Sequence, residues 1–364
     1  MLLLAAVSLL ITGCWDAIQV SDYNFLTLVI LDKQGEEFTF TIEIPKISPT
    51  GMNGSPSGPK ATFIKGSGPS FVEARDSLDI KADKPLYLGT TRTLIVTERA
   101  SQNDLPEYLF RLREDFTYRQ KITLTTTRDD PAVLTEAENE NETPSGYSID
   151  DMLESLSNDG RTFSKSTASY VEDILGKRGF VVHCIGLENK QLALTGYSVF
   201  RDAKNVGFIP VENARGLVFM LAPKPVFFYR VPFGGEHATV EVELTDKKIV
   251  PSYQDGAIRF SVQLKLKGDV QYFSQVALFP LDEQIMKEIE QNLTQMLQED
   301  IKSTIDQSQK EFQSDYLMFC EAFRLAYPEV YEKLEFGQVY PNVSIDVFTS
   351  LDLSISPKMD LEPS

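Results

Sequence analysis

Histidine, cysteine and tryptophan are all scarce in this chain, which has two, three and one of them among 364 residues. The cysteines, Cys14, Cys184 and Cys320, form no CxxC pair and have no metal-ligand spacing, so neither a disulfide scaffold nor a zinc site is indicated. Cys184 and Cys320 could bridge in an exported protein, but two buried thiols are the expected state. There is no GxSxG, no HExxH, no phosphate loop and no GxGxxG with an acidic partner downstream. His183 adjoins Cys184, but neighbours in a strand point to opposite faces, which makes them a poor nucleophile and base pair. His237 follows Gly234-Gly235-Glu236 in what reads as a loop. The expectation is no catalytic, cofactor-binding or metal-binding residue, and no enzyme. Positive charge is also short: 35 Lys and Arg face 53 Asp and Glu, a net charge of -18. Such a surface repels nucleic acid and anionic headgroups, so attachment to a membrane has to be hydrophobic.

Long hydrophobic runs are missing as well. Met1 to Ile11 (MLLLAAVSLLI) is apolar over about ten residues, whereas a spanning helix needs about twenty. It fits the apolar core of a signal peptide and ends in Ile11-Thr12-Gly13-Cys14. An aliphatic residue, two small ones and a cysteine form a lipobox, in which the thiol attacks the lipid donor as a serine hydroxyl would not. Residues 1–13 are therefore expected to be removed and Cys14 to carry acyl chains, palmitate among them. One chain binds a bilayer marginally and two or more anchor stably. No Lys or Arg precedes the apolar run, which points to a natural start upstream of Met1.

What is present is ordinary globular material, 42% hydrophobic and 24% charged. A buried strand is expected over Tyr23–Leu31, then a Gln34-Gly35 turn and a half-buried strand from Phe38 to Ile44, whose apolar residues alternate. Residues 48–70, rich in Gly, Pro and Ser, read as a long loop. Ser70–Leu78 and Asp104–Arg113 read as helices, and Thr91–Val96 and Gln120–Thr126 as strands. Asp129–Asp159 holds many carboxylates but no DxDxDG calcium spacing, and reads as a solvated linker leading into a short helix. Within it Asp150, Asp151 and Glu154 look like a solvated helix face. A helix near Ser164–Leu175 and strands at Phe180–Leu187 and Ala193–Phe200 follow, before an Asn205-Val206-Gly207 turn. Thr239–Leu244 and Arg259–Lys267 alternate as strands, and Val343 to Ile355 forms a last one. Ile285, Ile289, Leu293, Met296, Leu297, Ile301 and Ile305 recur every three or four residues, one apolar stripe of a long helix over roughly 281–312. The fold class is α+β with three mixed α/β domains, the last an antiparallel sheet packed with this amphipathic helix. Expected boundaries are 14–135, 136–225 with the acidic linker, and 226–364.

Cys14-Trp15-Asp16, followed by an apolar strand and a turn with Asp32-Lys33, resembles the C-subunit lipoproteins of nutrient germinant receptors in spore-forming bacteria, the Ger(x)C family. Gly68-Pro69-Ser70 with Glu73-Ala74 looks like that family's helix start, and Leu86-Tyr87-Leu88 with Thr93-Leu94-Ile95-Val96 looks like its following strand. Leu194 to Phe200 with Val206-Gly207, and the long helix ending in Gln309-Lys310 and Asp315, also match in order. Ser198 stands where a small apolar residue is usual, Tyr316–Cys320 replaces a glycine-containing pattern, and the family's tryptophans near the end are absent. The resemblance implies a non-enzymatic receptor subunit needed for germination in response to nutrients. It would be anchored by Cys14 on the outer face of the spore inner membrane and partnered with two integral membrane subunits of A and B type. A solute-binding lipoprotein of a transporter is the alternative, although its two lobes of repeated βα units suit the alternating strands less well. An envelope hydrolase is a third reading, which the lack of a catalytic constellation disfavours.

Overall fold

The computed structural model describes residues 20–46, 61–103, 105–114, 121–138, 143–274 and 283–355. The expected strand over Tyr23–Leu31 is two strands. β1 (Asn24–Phe25) pairs with β5 (Leu86–Tyr87), and β2 (Leu28–Gln34) pairs with β3 (Glu37–Pro45). The β2–β3 hairpin turns where expected, with Gly35 at φ +61°. β4 (Ala61–Gly68) then pairs antiparallel with β3, so part of the stretch read as a loop is an edge strand. Its glycines misled that reading, because they serve a close approach. A Cβ on Gly66 would lie 2.6 Å from the Ala74 carbonyl oxygen, and one on Gly68 2.8 Å from the Ala74 nitrogen, in the helix α1 (Phe71–Asp79) above. Residues 48–60 of that stretch lie outside the described residues.

β6 (Thr93–Thr97), β7 (Thr123–Thr127) and β8 (Phe180–Glu188) continue the sheet in parallel with β2, and β9 (Gln191–Arg201) and β10 (Lys204–Pro210) close it antiparallel. The eight strands run β10-β9-β8-β7-β6-β2-β3-β4. Strands from 14–135 and from 136–225 thus share one hydrogen-bonded sheet. One correction concerns its end. The β9–β10 turn is made by Asp202 and Ala203, both at positive φ, and not by Asn205-Val206-Gly207, which forms a bulge inside β10. Gly207 is needed there for contact, since its Cβ would meet the Phe312 ring at 2.3 Å.

Parallel strands need crossover connections, and these place helices on both faces. On one face α1, α3 (Leu105–Glu114, after the short α2, Glu98–Ser101) and α6 (Thr167–Leu175) bury Phe71, Leu109 and Tyr170 against Val29, Phe40, Leu94 and Val182. On the other, α4 (Pro131–Leu134) and α5 (Ser145–Asn158) bury Leu134, Ile149 and Leu153 against Leu28, Ile30, Ile95 and Ile185. The stretch read as a solvated linker is therefore largely a packed layer. β3 is in consequence buried on both faces, Thr39, Thr41 and Glu43 included, and is not the half-buried strand that its alternation suggested.

The C-terminal sheet runs β11 (Val226–Phe233), β12 (Glu236–Gln254), β13 (Ala257–Phe273) and β14 (Ser344–Ile355). His237 lies in β12, paired with Pro232, and not in a loop. The first three strands are antiparallel, as expected. β14 joins β13 in parallel, because a long crossover separates them: α8 (Glu283–Asp306), a π-turn at Gln307–Glu311, and the short α9 (Phe319–Ala326), α10 (Pro328–Tyr331) and α11 (Phe336–Val339). The stripe on α8 behaves as its spacing predicts. Ile289, Leu293, Leu297 and Ile301 are each 0% exposed, and full burial of such a side chain stabilises by about 1.5–3 kcal/mol. This core continues without a break into Tyr197, Val199 and Ile209 of β9 and β10 through α7 (Arg215–Leu221), so the C-terminal unit is packed on the end of the eight-stranded sheet.

Candidate functional site

Cys14, Trp15 and Asp16 lie outside the described residues, which begin at Val20 beside the β1–β5 pair. Lys84 Nζ donates to the Ser21 carbonyl at 2.8 Å, and Asn24 Nδ2 donates to Asp83 at 2.8 Å. Tyr23 and Phe25 meet the Tyr87 ring edge-on at 6.0 and 5.5 Å. The segment running back towards Cys14 leaves from the β1–β5 pair.

The segments that carry the resemblance hold the fold together. Ser70 caps α1 by accepting from the Glu73 amide at 3.2 Å, and its hydroxyl donates to the Glu73 carboxylate at 2.8 Å. Asp32 accepts from Thr97 Oγ1 at 2.7 Å and from both Nε and a terminal nitrogen of Arg99 at 3.1 and 2.7 Å. Burial acts to raise the Asp32 carboxyl, but the Arg99 guanidinium and the Thr97 hydroxyl outweigh it and hold the group below the usual carboxylate range. Ser198, the unusual residue of its segment, shares a 2.8 Å hydrogen bond with Thr126, so its hydroxyl is satisfied inside the core. Gln309 donates to the carbonyls of Tyr340 and Val343, both at 2.8 Å, and so ties the end of α8 to the entry of β14.

Asp315 caps α9, accepting from the amides of Phe319 and Cys320, and its complete burial pushes its carboxyl up to about 6. Cys184 and Cys320 are buried and unbridged, and burial pushes both thiols up, away from the reactive thiolate. His183 bonds Thr162 at 2.9 Å through Nε2, against the Phe163 and Tyr197 rings, while Cys184 contacts Thr195 and Thr126 on the other side of the strand. Burial lowers the imidazole to about 4, so it is neutral. No group of three potential metal ligands occurs among the described residues, nor any helix there long and apolar enough to cross a membrane. Of the acidic stretch, Asp151 and Glu154 are exposed as expected. Asp150 instead accepts from Thr123 and pairs with Arg92 at 3.3 Å, and Asp129 accepts from the Leu187 amide at 2.9 Å.

His183 makes stability depend on pH in a defined direction. Its folded-state pKa of about 4 lies below the ordinary 6.5, so its contribution is complete above 6.5 and is lost as the pH falls towards 4. Asp315 acts oppositely: raised from 3.8 to about 6, it contributes most below 3.8, and that contribution is lost as the pH rises through 6. A His183→Gln variant should therefore gain about 2 kcal/mol relative to the parent between pH 7 and 4.5. Urea unfolding at both pH values measures this, and a pH-independent difference would show that the imidazole titrates as in water.

One cavity went unforeseen in the sequence. It opens between α1, α3 and the sheet, with a volume of about 590 Å³, and its walls include Leu26, Phe40, Leu78, Leu88 and Tyr108. Among the described residues, the charged side chains on its lining are Arg75 of α1 and Arg111 of α3. Its residues come from separate elements, each reading as core or as helix surface, so no local pattern marks them.

Comparison with known proteins bears on the whole chain. A family model described as the spore germination protein N-terminal domain matches residues 16–187, and one described as spore germination B3/GerAC like, C-terminal, matches residues 195–355. Spore germination protein B3 of Bacillus subtilis (strain 168) is 19% identical over 344 residues, covering 90% of this chain and 89% of that protein. Spore germination protein A3 of the same organism is 22% identical over 278 residues, covering 72% and 70%. The crystal structure of the GerBC protein superposes with a TM-score of 0.58 at 15% identity, over 89% of this chain and 96% of that one, and so shares its fold.

Proposed function

From the premise that this chain belongs to the spore germination B3/GerAC-like family, we propose that it is the lipid-anchored C subunit of a nutrient germinant receptor. The observation that carries this reading is the tandem match of the family's two domain models along nearly the whole chain, directly behind the Cys14 lipobox. The subunit acts by docking and not by catalysis. Its acyl chains hold it on the outer face of the spore inner membrane, where it assembles with two integral membrane subunits of A and B type. The families of its relatives and the inert, buried state of His183, Cys184 and Cys320 support this over an envelope hydrolase. The solute-binding alternative is not favoured, since β1–β10 do not form two lobes of repeated βα units about a hinge.

The test is germination itself. In a strain stripped of the other genes of this family, spores lacking the chain should fail to germinate on the cognate nutrient mixture, yet respond normally to a nutrient-independent trigger. Restoring the gene should restore the response. Normal nutrient germination without the chain would refute the reading.

A further inference from the structure

We propose that the cavity between α1, α3 and the sheet is a binding site for a small amphipathic anion, its apolar body inside and its acidic head between Arg75 and Arg111. Four observations converge on it. The size, about 590 Å³, lies within the range of roughly 300–1,000 Å³ in which proteins hold small ligands. The walls are apolar, and apolar surface left open to water opposes folding unless something covers it. Among the described residues, both charged side chains of the lining are cations, in a chain whose net charge is -18. Finally, both guanidiniums are available to an incoming acid. Among the described residues, Arg75 Nε is shielded from water with no hydrogen-bond acceptor, and the Asp79 carboxylate lies at 3.4 Å. Arg111 faces Glu107 at 3.6 Å and rests over the Phe71 ring at 5.5 Å. These are loose, partly exposed pairs within one helix each, which a carboxylate, sulfonate or phosphate held in place by its apolar body can displace.

The ligand is thus defined by chemistry: one acidic head on a compact hydrocarbon body. Two sources supply it, a short acid free in solution or a bilayer acyl chain whose carboxylate is free, as in a long-chain fatty acid, and the experiment separates them. The full chain in lipid nanodiscs is photolabelled with decanoic acid bearing a terminal diazirine, or with its neutral methyl ester, and the labelled residues are mapped by mass spectrometry. The acid should label the walls of the cavity saturably. Val72, 60% exposed at the mouth, gives the blocking variant Val72→Trp, which should lower labelling by both probes. Arg75→Gln with Arg111→Gln should lower labelling by the acid about tenfold, the loss of charge-assisted contacts, and change the ester by less than about twofold. Competition by unlabelled decanoate alone marks a free amphiphile as the source, and competition by palmitate alone marks a bilayer acyl chain. Labelling that falls only outside the cavity, or that neither competitor reduces, overturns the proposal. So does an equal loss of acid and ester in the arginine variant, which leaves no role for the anionic head. The arginines are partly exposed, so this arm stands even if Val72→Trp does not fold, and thermal unfolding of each variant checks the fold.

Discussion

A Cys14→Ala chain expressed in its sporulating host is expected to take up no labelled palmitate, while Cys184→Ala and Cys320→Ala chains label like the parent. The contrast follows from the chemistry of the three thiols. Acylation needs an accessible sulfur that can reach the thiolate, and Cys14 stands in the sequence at the end of the apolar run, within Ile11-Thr12-Gly13-Cys14. The other two are buried, and desolvation pushes their thiols up. Loss of the acyl chains should also cost function. A net charge of -18 gives the protein no electrostatic hold on anionic lipid, so the hydrophobic anchor has no substitute on the surface. Nutrient germination of the Cys14→Ala spores is expected to fall to the level of a deletion, with nutrient-independent germination intact. Palmitate uptake that survives the substitution would remove Cys14 from the proposed function.

The largest effect on stability is expected at Glu43. This carboxylate is 1% exposed in the middle of β3 and accepts three hydrogen bonds: from Thr27 Oγ1 at 2.6 Å, from the Ser145 amide at 2.7 Å and from the Gly146 amide at 3.0 Å. The two amides belong to the first turn of α5, whose orphan donors and positive dipole end an anion complements. The docking is close as well. A Cβ on Gly146 would lie 2.1 Å from the Thr27 carbonyl oxygen, and Thr93 Oγ1 donates to the Gly146 carbonyl at 2.7 Å. Glu43→Ala deprives two buried amides and a hydroxyl of their acceptor and should destabilise the fold by about 4 kcal/mol. Glu43→Gln keeps one acceptor oxygen but turns an amino group towards donors, and should cost about 2 kcal/mol. Glu37→Ala, exposed at the start of the same strand, should stay within about 0.5 kcal/mol of the parent. Denaturant unfolding of the three variants gives the comparison, and a Glu43→Ala chain as stable as the Glu37→Ala one would show that α5 is not held this way.

Glu43 also shows where the sequence stops being legible. In Phe38-Thr39-Phe40-Thr41-Ile42-Glu43-Ile44 the polar residues alternate with apolar ones, the pattern of a strand with one wet face. A polar side chain satisfied inside the protein looks the same in one dimension as one satisfied by water. The acidic stretch failed for the matching reason. Its many carboxylates suggested solvent, yet Asp129 and Asp150 bond β8 and β7, and Ile149 and Leu153 give α5 a narrow apolar stripe. Two misreadings, of β3 and of the linker, are thus the two sides of one interface.

What the sequence determined by itself has a local cause. The Gly35 turn, the Ser70 cap of α1, the alternation in β12 and β13 and the stripe of α8 each depend on residues within a few positions of one another. The sequence also determined the family, through short segments in a fixed order. Tertiary structure alone decided which strands lie side by side, that β14 enters parallel, that the large sheet is covered on both faces, and that Arg75 and Arg111 line one largely apolar cavity. The physical reason is that periodicity reports the face an element buries, not the partner it is buried against. A cavity or a buried polar contact exists only between elements distant in the chain.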